Sequence, residues 1–448
     1  MKLYYRIICS VCGVLLVTSF ITWLHQQDVW QSTASVKINR YNSSTTQGGV
    51  LQFVASKYGK TKLNHLSIGD EFSTIQQQEH CNGSFIGFEH KFARLTNVVI
   101  LPDKGVGRSG GENISQVLNQ REDDEYYTLQ KGYFTLRCLT RSINYKFNNV
   151  SHLNKWLNAV DLIQSSYKSE RRVELYTLAV QRYEYANLYH TMTDFYNVFF
   201  MLEMFNIKVD NVLILFLDGH PQGALDTTWG KLFNGFIRAS DIKQPTMFTY
   251  MLWPTVGYDS PLNKHEIKGV PKLEEFRTFF LRQHGIAIND ILSCDNLRIV
   301  LLWRRDYVAH PRNPSGTVSR KIKNEEELVA VAKKHYSEHS ILDVQIDLLD
   351  MRDQLKMVSQ TDILIGMHGA GLSHTLFLPR HAGLIELYPT YWSTANVHFK
   401  SMARWRGLHY RSWQNSDITK ELNDKYTVVD VNSVMALLSS MVHEICTS

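Results

Sequence analysis

The chain of 448 residues carries 48 Lys and Arg against 43 Asp and Glu, for a formal net charge of +5, with 44% hydrophobic and 20% charged residues. That balance excludes a disordered or low-complexity chain, and the positive excess is too mild for a nucleic-acid binder. The length suits two domains better than one.

Lys2 and Arg6 precede the uncharged run Ile7 to Leu24, which Trp23 and His25 close. No small-x-small site precedes Gln26, so the run predicts an uncleaved transmembrane signal anchor over 7–24, with a cleaved signal peptide as the alternative. Positive charge ahead of the span makes residues 1–6 a cytoplasmic tail and leaves the rest lumenal, a single-pass type II orientation. Residues 25–62 are polar and aperiodic and read as a stem. Asn-x-Ser acceptors at Asn42, Asn82, Asn113 and Asn149 fit a glycosylated lumenal surface. Of the 6 cysteines, Cys9 and Cys12 fall in the span; Cys81, Cys138, Cys294 and Cys446 can pair in three ways, and an oxidising lumen permits disulfides.

From about Leu63 the pattern is globular. Val98 to Leu101 reads as a strand, Leu153 to Tyr167 and Tyr189 to Phe205 as helices, and Asn211 to Leu217 as a buried strand. Gly105 to Gly110 spells a lone Gly-x-Gly-x-x-Gly, but no apolar helix follows and the Asn113 acceptor comes next, so it reads as a mobile surface loop. Asp218-Gly219-His220, closing the Leu213 strand, reads as a turn. A second half begins near Asn296. Its strand Leu297 to Trp303 is followed by a helix over Asn324 to His335, a strand over Val344 to Leu348 and a helix over Met351 to Gln360. A strand at Ile363 to Ile365, a glycine turn, a helix from Ser373 to Leu378 and a strand over Gly383 to Leu387 complete the series. Strand and helix alternate as in a parallel sheet with covering helices, and nucleotides bind such sheets at the carboxyl ends of the strands.

The turn Gly366-Met367-His368-Gly369-Ala370-Gly371 has Gly-x-x-Gly-x-Gly spacing, which fits neither a Walker loop nor a dinucleotide fingerprint. His368, Gly369, Ala370 and Gly371 nevertheless make a candidate diphosphate cradle, because glycines let a ligand approach the N–H groups at a helix start. Glu386, at the end of the next strand, is placed to hold a ribose hydroxyl. A glycine turn with only a packing role is the alternative. Arg304, Arg305, His310 and Arg320 follow the Leu297 strand and open on the same sheet edge, where guanidinium groups suit a departing diphosphate; a solvated basic loop is the other reading. In Arg182 to Tyr196, His190 and Asp194 share a helix face, so that the carboxylate could orient the imidazole, and Glu184 lies just ahead. These three are candidates for a base, although such a pair is equally often buried structure. No Asp-x-Asp follows an apolar strand, which predicts no metal site and activity without a divalent cation.

The blocks Arg182 to Tyr196, Phe216 to His220 with Trp229 to Phe233, Arg304 to Arg320 with Asn324-Glu325-Glu326, and Ile365 to Ser373 resemble glycosyltransferase family 61. Within it they are closest to the branch that transfers xylose to the N-glycan core. The resemblance implies an α/β, GT-B type fold of two Rossmann-like domains facing a cleft, residues 63–295 presenting the acceptor and residues 296–448 binding the nucleotide sugar. It implies an inverting Golgi membrane enzyme that moves xylose from UDP-xylose to the 2-hydroxyl of the core β-mannose on secretory glycoproteins. A sister activity using a GlcNAc or arabinose donor, or a non-catalytic Golgi glycan-binding protein, are the rival expectations.

Overall fold

The computed structural model describes residue 66 and residues 68–447 apart from 140, 141, 149, 150 and 234. The tail, the 7–24 anchor, the 25–62 stem with its Asn42 acceptor, Cys9, Cys12 and Asn149 are among the sequence expectations that lie outside the described residues. Among the described residues, no helix is long and apolar enough to cross a membrane.

The first half is built on a nine-stranded mixed sheet. Three strands, β1 (Gln77–His80), β2 (Phe85–Phe88) and β3 (Phe92–Ile100), form an antiparallel meander. The chain then makes a short hairpin of β4 (Gly105–Gly107) and β5 (Tyr127–Leu129), so the first half of the expected Gly105–Gly110 loop is a paired strand. Strand β6 (Phe134–Arg137) joins the edge of β3. The helix expected over Leu153 to Tyr167 stops early: α1 covers Leu153–Asn158, and Val160–Ile163 is β7, parallel to β6. Its β-branched and apolar residues complete the sheet edge, and tertiary pairing overrides the helical spacing.

The parallel part of this sheet holds β8 (Arg171–Val180), β9 (Val212–Phe216) and β10 (Phe236–Arg238), with β11 (Thr246–Trp253) between β8 and β3. Strand β9 is buried at every position, as expected for Val-Leu-Ile-Leu-Phe covered on both faces. Helix α2 (Leu188–Met204) links β8 to β9; Asn187 caps it by accepting from the Tyr189 N–H. Helices α3 (Asp226–Leu232) and α4 (Leu273–Gln283) follow.

The second half is a five-stranded, all-parallel sheet. Its members are β12 (Arg298–Leu302), β14 (Ser340–Val344), β15 (Ile363–Met367), β16 (Gly383–Tyr388) and β17 (His409–Gln414). Three short strands, β13 (Lys321–Ile322), β18 (Glu421–Leu422) and β19 (Tyr426–Thr427), make a separate small sheet. The strand expected at Val344 to Leu348 lies earlier, and Ile346–Leu348 is a 3-10 turn that leaves Leu348 74% exposed. Helices α5 (Glu325–His335), α6 (Met351–Val358), α7 (His398–Arg406) and α8 (Val431–Thr447) cover the sheet. The segment expected as an α-helix after the glycine turn is a 3-10 stretch, Ala370–Phe377.

The order β14-β12-β15-β16-β17 means that the chain leaves β12 on one side and returns to its other side as β15. That reversal opens a crevice at the carboxyl ends of β12 and β15, where open parallel sheets take ligands. Leu302 pairs with Gly366 there, so Arg304 and His368 emerge side by side.

Period-two alternation divides the apolar residues of this sheet. Ile299, Leu301, Ile365 and Ile385 face α5 and α8, while Val300, Leu302, Leu364 and Leu384 join a core that also holds Phe195 and Phe199 of α2 and Phe276 and Phe280 of α4. Phe280 meets Phe377 with ring centroids 4.7 Å apart, so helices of the first half pack directly on the 3-10 stretch of the second. Disulfides join Cys81 to Cys138 within the first half and tie Cys294, just before the second half begins, to Cys446 in the last helix.

Candidate functional site

At the end of β15 the His368 N–H donates to the Leu387 carbonyl, and the ring Nδ1 lies 2.6 Å from Glu386 Oε1. Glu386 Oε2 accepts from the Tyr410 hydroxyl at 2.8 Å. The carboxylate is fully buried with both oxygens engaged, so neither faces a ribose in the crevice. Tyr388 stacks on the His368 ring at 5.2 Å, and Phe399, Trp392 and His398 surround it at 5.1, 5.7 and 5.8 Å.

Gly369 is extended, with φ 167°, a conformation any residue adopts. Its missing Cβ serves a close approach: a Cβ there would overlap the Arg304 guanidinium. Gly371 differs, because a Cβ would make ordinary contact with Ile346 and Leu302 at 3.7 and 4.0 Å. Ala370, between them, opens the 3-10 stretch and is partly buried against the apolar core.

Arg304 donates from Nε to the Ser319 carbonyl at 3.0 Å, and burial lowers its pKa. Arg320 has its guanidinium 4.0 Å above the Trp392 ring, and its backbone N–H donates to the Tyr391 hydroxyl. Burial, with Arg304 nearby, pushes the Arg320 pKa down to about 10. Its Nε is buried without a partner, and its backbone sits in the left-handed region at φ 62°. Among the described residues, neither arginine is paired with a carboxylate. Arg305 is different, being half exposed and 2.6 Å from Glu325 at the start of α5.

His310 and Arg312 carry the loop after β12 to the first half, where they meet Glu184 at 3.4 and 3.2 Å. Glu184 also accepts from the N–H groups of Tyr185 and Ala186. Burial alone would raise its pKa, but His310, these N–H groups and Arg312 outweigh it and hold the carboxyl below its ordinary value. A carboxylate so engaged is a weak base.

His190 lies in the first turn of α2 beside Tyr183 at 4.9 Å and Tyr258 at 5.9 Å. Burial lowers its pKa, which keeps the imidazole neutral and able to accept a proton. Asp194 does not orient it. No hydrogen bond joins the two among the described residues; Asp194 is buried near Arg182 and Asp218, and burial drives its carboxyl well above the ordinary range. Arg182, Asp218, Asp226 and Arg238 form a buried ion network, with Arg182 2.6 Å from Asp218 and 2.7 Å from Asp226. The Asp218-Gly219-His220 turn thus belongs to scaffold, and His220 pairs with Glu125 at 2.8 Å.

Sequence reasoning missed Tyr410, Tyr391, Trp392, His398 and His265. His398 Nδ1 is 3.0 Å from His265 Nε2, and burial with its histidine neighbours pushes the His398 pKa down to about 4. Tyr391 and Trp392 follow the carboxyl end of β16, a position that itself signals a cleft. Asn82 and Asn113 are exposed, and Asn113 Oδ1 accepts from the Ser115 N–H and hydroxyl. Among the described residues, no group of three or more His, Cys, Asp or Glu is arranged to hold a metal ion.

Residues 188–385, from α2 into β16, match the model of the family described as glycosyltransferase 61. The match encloses His190, Arg304, Arg320 and the His368 to Gly371 loop. The chain is 25% identical to the beta-1,2-xylosyltransferase of Arabidopsis thaliana over 388 residues, 70% of this chain and 72% of that protein. To the beta-1,2-xylosyltransferase of Oryza sativa subsp. japonica it is 27% identical over 344 residues, 68% of this chain and 64% of that one. To the EGF domain-specific O-linked N-acetylglucosamine transferase of Rattus norvegicus it is 32% identical over 240 residues, 51% of this chain and 43% of that protein. The chain therefore contains a glycosyltransferase family 61 domain, with beta-1,2-xylosyltransferases among its relatives.

Proposed function

We propose that the protein is an inverting glycosyltransferase that moves xylose from UDP-xylose to the 2-hydroxyl of the core β-mannose of N-glycans. The observation that carries the nucleotide-sugar reading is the pair Arg304 and Arg320. Two guanidinium groups without carboxylate partners stand beside the His368-Gly369 loop, at the reversal point of a parallel sheet. Two such cations raise the free energy of the empty crevice through mutual repulsion and desolvation, and a diphosphate relieves both. The fold acts as a GT-B arrangement, with the second half holding the donor and the first presenting the acceptor.

Neutral His190 takes the acceptor proton, while the arginines meet the charge that grows on the departing diphosphate. Positive charge is thus supplied by side chains, and transfer proceeds without a divalent cation; activity abolished by EDTA and restored by manganese would overturn this. Xylose is favoured because the xylosyltransferase relatives align over 70% and 68% of the chain, well beyond the 188–385 domain. The location that follows is a Golgi membrane, with residues 7–24 as anchor and the catalytic part lumenal.

A second reading is a GlcNAc donor, favoured by the 30–32% identity to EGF domain-specific O-linked N-acetylglucosamine transferases over about half of the chain. The test incubates the full-length protein with UDP-xylose or UDP-GlcNAc, and with a core N-glycan or a folded EGF domain as acceptor. Pentose gained by the N-glycan at the core mannose supports the proposal. Transfer only from UDP-GlcNAc replaces it with the second reading, and nucleotide binding without any transfer indicates a glycan-binding protein.

A further inference from the structure

We propose that His368 is a catalytic residue that meets the leaving diphosphate through Nε2–H, and that Glu386 and Tyr410 are positioning residues that hold it there. The proposal rests on the nucleotide-sugar reading above.

The sheet register explains the arrangement. Glu386 pairs with Gly366 on β15 and with Ser412 on β17. His368 lies two positions after Gly366, and Tyr410 two positions before Ser412, so both flank Glu386 on one sheet face. The result is a chain of hydrogen bonds across three adjacent strands, Tyr410 O–H to Glu386 Oε2 at 2.8 Å and His368 Nδ1–H to Glu386 Oε1 at 2.6 Å. With Nδ1 committed to Glu386, Nε2 is the only polar ring atom left for a ligand. The carboxylate at Nδ1 fixes the orientation of the ring and leaves Nε2 to meet a ligand.

The charges around the ring decide which role it can play. On its own sheet it faces Glu386, Tyr388 and Tyr410. From α7 comes His398, and beyond it His190 of α2, both held neutral by burial. From the loop after β12 come Arg304, against Gly369, and Arg320, over Trp392. His368 therefore stands on the arginine side, next to the position a diphosphate takes, whereas His190 belongs to the acceptor side.

In the transfer step the acceptor oxygen forms its bond to the anomeric carbon as the bond from that carbon to the phosphate oxygen breaks. The electron pair of the broken bond passes to the diphosphate, which receives hydrogen bonds from Arg304, Arg320 and His368 Nε2–H. The acceptor proton goes to His190 and then to solvent, and His368 keeps its own proton throughout.

The test is calorimetric titration of UDP into the full-length protein, beside transfer kinetics. His368→Ala should weaken UDP binding at least about tenfold and lower kcat with it. Glu386→Gln, which keeps the shape but not the charge, and Tyr410→Phe should each lower kcat about three- to tenfold while the donor KM stays within twofold. Unchanged UDP affinity and kcat in His368→Ala, or an unchanged kcat in both Glu386→Gln and Tyr410→Phe, would overturn the proposal. Failure of the unaltered protein to bind UDP at any pH would instead sink the nucleotide-sugar reading.

Discussion

Replacing Gly369 by alanine separates catalysis from folding more cleanly than any charge substitution. The extended backbone at Gly369, φ 167° and ψ 165°, accepts a side chain without strain. The added methyl, however, would occupy the place of the Arg304 guanidinium. What it meets is the far end of a flexible side chain, so Arg304 retreats and the core stays intact. Stability should fall by about 1 kcal/mol, the net worth of the Arg304 Nε bond to the Ser319 carbonyl. Catalysis should lose much more, because removing one preorganised donor from a developing oxyanion costs about 2.7–4 kcal/mol, or roughly 10²–10³ in kcat. Gly371→Ala is the internal control, since its Cβ makes only ordinary contact with Ile346 and Leu302. Initial rates of transfer and thermal melts of both variants make the comparison. Wild-type kcat in Gly369→Ala, or an equal loss in Gly371→Ala, would refute the close-approach argument.

Arg305→Ala should change kcat/KM less than about threefold, because an exposed pair such as Arg305 with Glu325 contributes about 1 kcal/mol or less, whereas Arg320→Ala should cost about a hundredfold; steady-state kinetics showing equal losses would contradict this division. His374 is fully buried with its Nδ1 bonded to the Gly371 carbonyl, and burial pushes its pKa down to about 4. A folded pKa below the unfolded value of about 6.5 gives stability that is complete above pH 6.5 and lost as pH falls toward 4, roughly 2 kcal/mol of it by pH 5. Urea unfolding at pH 7.5 and 5 should register that loss, and His374→Asn should reduce it. Because Phe276, Phe280 and Phe377 share one core, both halves should unfold in a single calorimetric transition; two resolved transitions would refute the shared core.

The parallel half was legible because each of its strands is a short apolar run ended by a polar or glycine turn, and both signals are local. Val344, Ile346 and Leu348 misled because their alternation continues past the true strand end, where the chain already turns. Leu153 to Tyr167 misled in the opposite direction, since pairing with β6 is a long-range fact that helical spacing cannot encode. Site residues divide in the same way. Arg304 and His368 were visible from their strand-end positions. Arg305 shares that position, but a carboxylate in the next helix, Glu325, takes it. Glu386 was visible as an acid at the end of a strand, yet its partners His368 and Tyr410 lie on neighbouring strands and only the register brings them together. His190 and Asp194 have the right spacing, but Asp194 points into the buried interior, where burial drives its carboxyl up, and does not reach His190.

The distribution of that charge is itself an argument about where the ligand sits. Arg182, Arg238, Arg277 and Lys321 are each matched to a carboxylate at 2.6–2.8 Å, as buried cations require. Arg304 and Arg320 have only a carbonyl, a ring face and an unpartnered nitrogen, and Arg320 also holds a left-handed backbone that costs about 1–2 kcal/mol. A fold that places a carboxylate beside these buried cations, and does not do so at Arg304 and Arg320, keeps an unfavourable arrangement that an incoming anion resolves. Under the proposed nucleotide-sugar reading, charge on the diphosphate grows as the sugar leaves, so the uncompensated pair would bind the departing group more strongly than the intact donor.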